Sequence, residues 1–335
     1  MNETRESPDS PIEPSRPSGN SYAAILRILL SIAIAAGLLW FVVRGVDLEE
    51  VKSSLVRISV AGFWTGALLY LASYVFRALR FQVMLAPSKI AVGFGRAFSV
   101  ILSSFAINCV VPAKAGDLYR ALDISRRHGG GFFVVLGAII AERVLDFVAV
   151  ILFLGLGIAG LLAGGDDVLP GVGYAPVLAT LAVIAAMVAF AVLLVANIER
   201  VIRFLLPTKY RNKVAGVKSG FLSALTKQLD LILLTLLLWI CELASFGVVL
   251  RSVGIELGAV RILFSASAAT LSNAVPFTPG GLGAFELASK AILEAWSFHA
   301  PIVIAGIAAV RLVNYWGLVA AGAIAAAIEA AVPKK

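Results

Sequence analysis

Between Phe132 and Leu162 the only charged residues are Glu142, Arg143 and Asp146. A helix rises ~1.5 Å per residue, so ~20 apolar residues cross the ~30 Å hydrocarbon core of a bilayer. Comparable apolar runs occur at Tyr22–Val43 and near 60–82, 174–197, 229–250 and 301–328. Lipid offers the backbone no hydrogen-bond partners, so long runs of this kind are expected as helices that satisfy their amides internally. Composition agrees. The 335 residues are 60% hydrophobic and 14% charged, against roughly a quarter charged in a soluble domain. The expected fold class is all-α, a polytopic membrane protein.

Two further apolar segments, 97–111 and 262–275, are shorter and run into interruptions: "NCVVPAKAGDLYRA" at 108–121 and "NAVPFTPGGLGAFE" at 273–286. They are either complete spans or half-depth helices, and loop charge bears on the choice. The 198–228 loop carries Arg200, Arg203, Lys209, Arg211, Lys213, Lys218 and Lys227, whereas 163–173 has Asp166 and Asp167 and no basic residue. Basic loops stay cytoplasmic. If both short segments dip in and return, then Arg77, Arg80, Lys89, Arg96, the N-terminal tail and Lys334–Lys335 all fall on the cytoplasmic side. Only the 44–58 loop, with Arg44, Lys52 and Arg57, runs against the rule. Residues 1–20, with prolines at 8, 11, 14 and 17, are expected as a disordered cytoplasmic tail. Residues 21–335 then form one helical membrane domain of about six full spans plus two re-entrant hairpins.

The interruptions match one another. Asn108, Pro112 and Gly116 stand to the first as Asn273, Pro279 and Gly283 stand to the second. Downstream, "ERVLDFVA" (142–149) lies gap-free on "VRLVNYWG" (310–317), pairing Arg143 with Arg311 and Asp146 with Asn314. The spacing predicts an internal repeat, with copies at about 95–162 and 260–328. Entry from opposite sides would make it inverted, an architecture in which broken helices meet near the midplane. Gly280 and Gly281 permit turning and Gly283 permits close approach. The helices restarting near Gly116 and Ala284 would turn positive N-terminal ends inward, toward phosphate or carboxylate.

A central Arg or Asp costs about +2.5–3.5 kcal/mol on insertion scales. Glu142, Arg143, Asp146 and Arg311 are therefore expected either in a ligand or proton pathway or in a buried ion-pair staple. Lys114, Asp117 and Arg120, spaced by threes, would share one side of a helical turn, unless Arg120 snorkels to the surface. Arg77 and Arg80 read as interface anchors. Glu242 has no partner in its own helix and is expected to meet Arg143 or Arg311. Glu286 falls in the first turn of the restarted helix, where it would serve the site or simply suit the dipole. The expected ligand-binding set is Lys114, Asp117, Arg120, Arg143, Gly280, Gly281, Gly283 and Arg311. Glu142, Asp146, Glu242 and Glu286 would balance charge or carry protons. Cys109 and Cys241 read as buried thiols, and His128 and His299 are too isolated to bind metal. No nucleophile elbow, P-loop or histidine–aspartate pair is visible, so no catalytic residue, metal or cofactor is expected. The +8 formal charge belongs to loops and implies no nucleic acid.

The segments "VPAKAGDLYRA", "PFTPGGLGAFE" and "ERVLD" resemble the flippase-like family that includes the transmembrane region of lysylphosphatidylglycerol synthase. The similarity covers roughly residues 22–330. Lys114 and Asp117 stand where that family usually has Arg and Glu. The resemblance implies an inner-membrane protein concerned with lipid translocation or with glycolipid and envelope assembly, without the synthase's aminoacyl-transferase domain. The expected function is translocation of an anionic or zwitterionic lipid headgroup. A lipid-modifying membrane enzyme, an accessory subunit of one, and a small-solute or ion transporter are the alternatives. Expected partners are membrane lipids, with either further copies of the chain or a lipid-biosynthesis enzyme.

Overall fold

The structure, a computed structural model, describes residues 33–111, 114–165, 168, 211–273 and 279–331, with single positions at 182, 186, 189 and 193. The expected tail at 1–20, the 174–197 span apart from those single positions, Arg200, Arg203, Lys209, Asp166, Asp167, Pro112 and Lys334–Lys335 lie outside the described residues.

Every regular element among the described residues is helical. In chain order these are α1 (Ala33–Val43), α2 (Leu48–Val56), α3 (Val60–Leu85), α4 (Phe94–Val110), α5 (Ala115–His128) and α6 (Phe132–Ala163). Then come α7 (Arg211–Ala224), α8 (Gln228–Ser252), α9 (Ala259–Ser272), α10 (Ala284–Ala295), α11 (Ala300–Arg311) and α12 (Leu318–Ala331). A π-helical turn, Leu312–Gly317, makes α11 and α12 one long helix. Among the described residues four helices are long and apolar enough to cross a membrane: Val60–Ser88, Phe132–Ala163, Gln228–Ser252 and Ala300–Glu329.

Two segments expected as loops contain helices. Residues 44–58 hold α2, started by Asp47, whose Oδ1 accepts from the amides of Glu49 (2.9 Å) and Glu50 (3.4 Å). Such a cap satisfies donors that a helix start otherwise leaves open. Residues 198–228 hold α7, which is polar and basic and shows no spanning pattern. It forms because Gly216 and Gly220 seat it on the start of α6: a Cβ on Gly220 would lie 1.9 Å from the Val134 carbonyl oxygen.

The outside of the molecule is apolar. On α6, Val148, Leu152 and Leu156 form an exposed stripe at four-residue spacing, and Leu229, Ile232, Leu233 and Ile240 are exposed on α8. Contiguous apolar faces of this kind belong against lipid. The inside is closed by small residues and hydroxyls. α3 and α8 run antiparallel: Ser59 N donates to Ser252 O (2.8 Å), and Ser245 Oγ donates to Gly66 O (2.7 Å). A Cβ on Gly66 would meet Val249 at 2.4 Å.

Both interrupted regions have the same order of parts: helix, break, helix, long helix. The first is α4, α5 and α6; the second is α9, α10 and the α11–α12 helix. Their packing is reciprocal. The long helix of the first lies on α9, with Gly157 against Phe264 and Gly160 against Val260. The long helix of the second lies on α4, with Gly322 against Leu102 and Ala106. That contact is tied off at one end by Arg96, which bridges Asp123 on α5 and Glu329 on α12.

Candidate functional site

At the first break the chain leaves α4 at Val111 and resumes at Lys114, which holds a left-handed backbone (φ 54°, ψ 40°). Asn108 stabilises the restart: its Oδ1 accepts from Gly116 N at 2.8 Å and its Nδ2 donates to Asp117 Oδ1 at 3.3 Å. Gly116 cannot carry a side chain, because a Cβ there would lie 1.9 Å from the Ser104 carbonyl oxygen. The absence of a side chain there lets α4 and α5 run side by side.

The second break is built with the same parts. Pro279–Gly281 form a 3-10 turn in which Gly280 (φ 59°) lies on the Tyr315 ring and Gly281 (φ 69°) lies against Asn273 Oδ1. Glu286, in the third position of α10, accepts from Gly283 N at 2.7 Å. The amides of Gly116 and Gly283, expected to face an anion, are thus both taken by the protein's own side chains.

The acidic residue after each break is gripped by an arginine of the following long helix. Arg143 Nε and Nη2 donate to Asp117 at 3.2 and 3.1 Å. Arg311 Nε and Nη2 donate to Glu286 at 2.7 and 3.1 Å, and Nη2 also donates to Gly281 O at 3.1 Å. Two parallel bonds of this type fix orientation as well as charge. The aligned Arg143 and Arg311 therefore occupy equivalent places, each facing the carboxylate that follows its own break.

Other expectations are corrected. Arg77 and Arg80 are not interface anchors: Arg80 is fully buried, and both face carboxylates on neighbouring helices. Arg77 donates to Glu242 at 2.6 Å and to Asp146 at 3.2 Å, and Arg80 stands 2.8 Å from Asp146. Both therefore drop out of the count of loop charges. Glu242 meets Arg77, and neither Arg143 nor Arg311, because α8 packs on α3. Arg120 does not snorkel; it is 1% exposed and grips Glu142 through bonds of 3.1 and 3.2 Å. Cys109 is buried, whereas Cys241 is only half-buried.

These groups surround one cavity of about 300 Å³. Lys114, Asp117, Arg120, Glu142, Arg143, Asp146, Glu242, Gly280, Gly281 and Arg311 all line it. Gly283 and Glu286 do not; Glu286 stands behind the wall and reaches the site through Arg311. The cavity also takes in Tyr70, Tyr74 and Trp239, which the sequence reading passed over, together with Arg77, which it read as an interface anchor, and Asn108, which it read only as part of the first break. Trp239 is 4% exposed and its indole N–H has no partner, and Asn314 Oδ1 is likewise unsatisfied. Arg77 and Arg80 carried a legible signal, three residues apart inside an apolar helix. Trp239 carried none, since an indole in an apolar run is usually packing.

Arg143 is the most open guanidinium of the group, its side chain 35% exposed, against 12% or less for Arg77, Arg80, Arg120 and Arg311. No group of histidine, cysteine or carboxylate side chains suited to a metal ion occurs among the described residues.

Residues 28–322 match the model of the lysylphosphatidylglycerol synthase transmembrane region. The chain belongs to that family. Its relatives include glycosyltransferase AglD of Haloferax volcanii, 26% identical over 310 residues, covering 80% of this chain and 50% of AglD. The UPF0104 membrane protein MJ1078 of Methanocaldococcus jannaschii is 28% identical over 219 residues, 65% of this chain and 92% of that one. The UPF0104 membrane protein PH1989 of Pyrococcus horikoshii is 20% identical over 314 residues, 87% of this chain and 92% of that one. The chain thus spans about half the length of the glycosyltransferase and nearly all of each UPF0104 protein. The matched region takes in both breaks and every residue of the cavity wall named above.

Proposed function

We propose that this multi-pass membrane protein moves a lipid headgroup between the leaflets of the inner membrane through the charged cavity. The observation that carries the reading is the convergence of both breaks, α4–α5 and α9–α10, on one polar cavity inside a body whose outer surface is apolar. A route for a headgroup needs such a lining, while the acyl chains can stay in the surrounding lipid.

The topology that goes with it has about six full spans and two re-entrant hairpins with both termini cytoplasmic. Supporting it, α4 has 17 residues and α9 has 14, lengths of about 25 and 21 Å, short of the ~30 Å needed to cross. The reciprocal packing of each long helix on the other region's first hairpin helix is what an inverted repeat would produce.

Within this reading the roles of the arginines divide. Arg311 holds the second turn in place through Gly281 O and Glu286, and Arg143 faces the headgroup. The carboxylates balance charge, each being held by at least one guanidinium. In vesicles carrying tail-labelled fluorescent lipid, the wild type should speed leaflet exchange and Arg143→Ala should slow it at least tenfold. Wild-type exchange in an Arg143→Ala/Arg311→Ala double variant would reject the proposal.

The relationship to AglD supports a second reading, that of a membrane partner to a glycolipid-assembling enzyme. A deletion strain with altered lipid chemistry and unaltered leaflet distribution would favour it.

A further inference from the structure

We infer that the cavity selects a ligand of one net negative charge, a phosphodiester carrying uncharged hydrogen-bonding groups, with Lys114 as its counter-ion. This deepens the translocase reading and rests on it. In and just behind the wall stand six cations, Arg77, Arg80, Lys114, Arg120, Arg143 and Arg311. Five carboxylates face them: Asp117, Glu142, Asp146, Glu242 and Glu286. Every arginine of the set lies within 4.0 Å of a carboxylate. Lys114 is the exception: it lines the cavity with no carboxylate among the described residues within 4.0 Å, so six cations against five carboxylates leave the wall a single positive charge.

The same wall argues against other headgroups. A cationic head would find no free carboxylate, because guanidinium groups hold all five. A quaternary ammonium needs an open aromatic face, and three of the lining rings already carry a guanidinium: Arg77 lies 5.7 Å from the Tyr74 ring centre and 5.6 Å from that of Trp239, and Arg311 lies 5.6 Å from that of Tyr315. A phosphate monoester, with ~−1.5 to −2 charge near neutrality, would bring more negative charge than Lys114 can balance. Of the lining atoms left without a hydrogen bond, Asp146 Oδ1 and Arg120 Nε belong to groups already held in ion pairs, and the neutral ones are the buried Trp239 indole N–H and the Oδ1 atoms of Asn273 and Asn314. An ether or hydroxyl oxygen suits the indole and hydroxyl hydrogens suit the two amide oxygens. The volume of about 300 Å³ lies at the lower end of small-molecule pockets, enough for a polyol phosphodiester with its acyl chains outside.

The test uses the full chain in two arms. The wild type, Lys114→Arg, Lys114→Gln and Lys114→Glu enter both arms, and in detergent binding of water-soluble glycerophosphoglycerol is measured. In vesicles, leaflet exchange is compared for lipids of the same labelled tail bearing phosphoglycerol (−1), phosphocholine (0) or ethylphosphocholine (+1) heads. The wild type should bind glycerophosphoglycerol and move the phosphoglycerol lipid fastest. Loss of a charge-assisted contact is worth about ten- to a hundredfold, so Lys114→Gln should weaken both by that factor. Lys114→Arg should retain the preference, and Lys114→Glu should shift it toward the cationic head. Equal exchange of all three lipids would overturn the charge inference and leave the translocase standing. Lys114-dependent glycerophosphoglycerol binding with no lipid exchange would overturn the translocase and keep the charge class. Neither binding nor exchange would overturn both.

Discussion

Removing Arg311 and its carboxylate partner together should cost clearly less than the sum of removing each alone. Its guanidinium donates to both oxygens of Glu286 and to the Gly281 carbonyl, and lies 4.2 Å from the centre of the Phe285 ring. Opposite charges about 4 Å apart attract by ~4 kcal/mol at an effective dielectric of 20. Truncating one partner of a buried pair typically costs about 3–5 kcal/mol, because the other charge is stranded. In Arg311→Met the Glu286 carboxylate would keep one bond, from Gly283 N, which places the expected loss inside that range. Glu286→Gln alone also strands a charge, that of Arg311. The double variant Arg311→Met/Glu286→Gln strands neither, so its loss should fall short of the sum by at least ~2 kcal/mol, within the range seen for contacting residues. Reversible unfolding in mixed micelles, followed by helix content across the four variants, measures the cycle. Additive losses, or an Arg311→Met loss under ~1 kcal/mol, would refute the view that this pair locks the second turn.

Gly116→Ala should prevent α5 from lying against α4, since the new Cβ would come within 1.9 Å of a backbone oxygen; low yield or a loss above ~3 kcal/mol is the expected result, and near-wild-type melting would contradict the packing. Trp239→Phe deletes a buried N–H that has no partner, so stability should hold within about 1 kcal/mol while glycerophosphoglycerol binding weakens; unaltered binding would remove the indole from the site.

Much of the site was legible because charge in an apolar helix is costly and needs a reason. Glu142, Arg143, Asp146 and Arg311 stood out on that ground alone, and all four line the cavity. The matched breaks were legible because proline and glycine disrupt helices wherever they fall. Partner choice was not. Asp117 takes Arg143 and Glu242 takes Arg77 because of which helices pack together, and no spacing within one helix encodes that. Arg77 and Arg80 were misread for a related reason: near a helix end an arginine that snorkels and one that reaches a neighbouring carboxylate look alike in one dimension.

By itself the sequence determined that the chain is helical, that it belongs in lipid, and that its backbone breaks twice beside buried charge. Those properties follow from local rules of hydropathy, helix length and the chemistry of proline and glycine. Tertiary structure alone decided that both breaks open on a single cavity, that every arginine of its charged set is already matched by a carboxylate, and that Lys114 is left over. Matching of that kind depends on distances between helices far apart in the chain, and glycine contacts such as Gly116 on Ser104 and Gly322 on Leu102 set those distances.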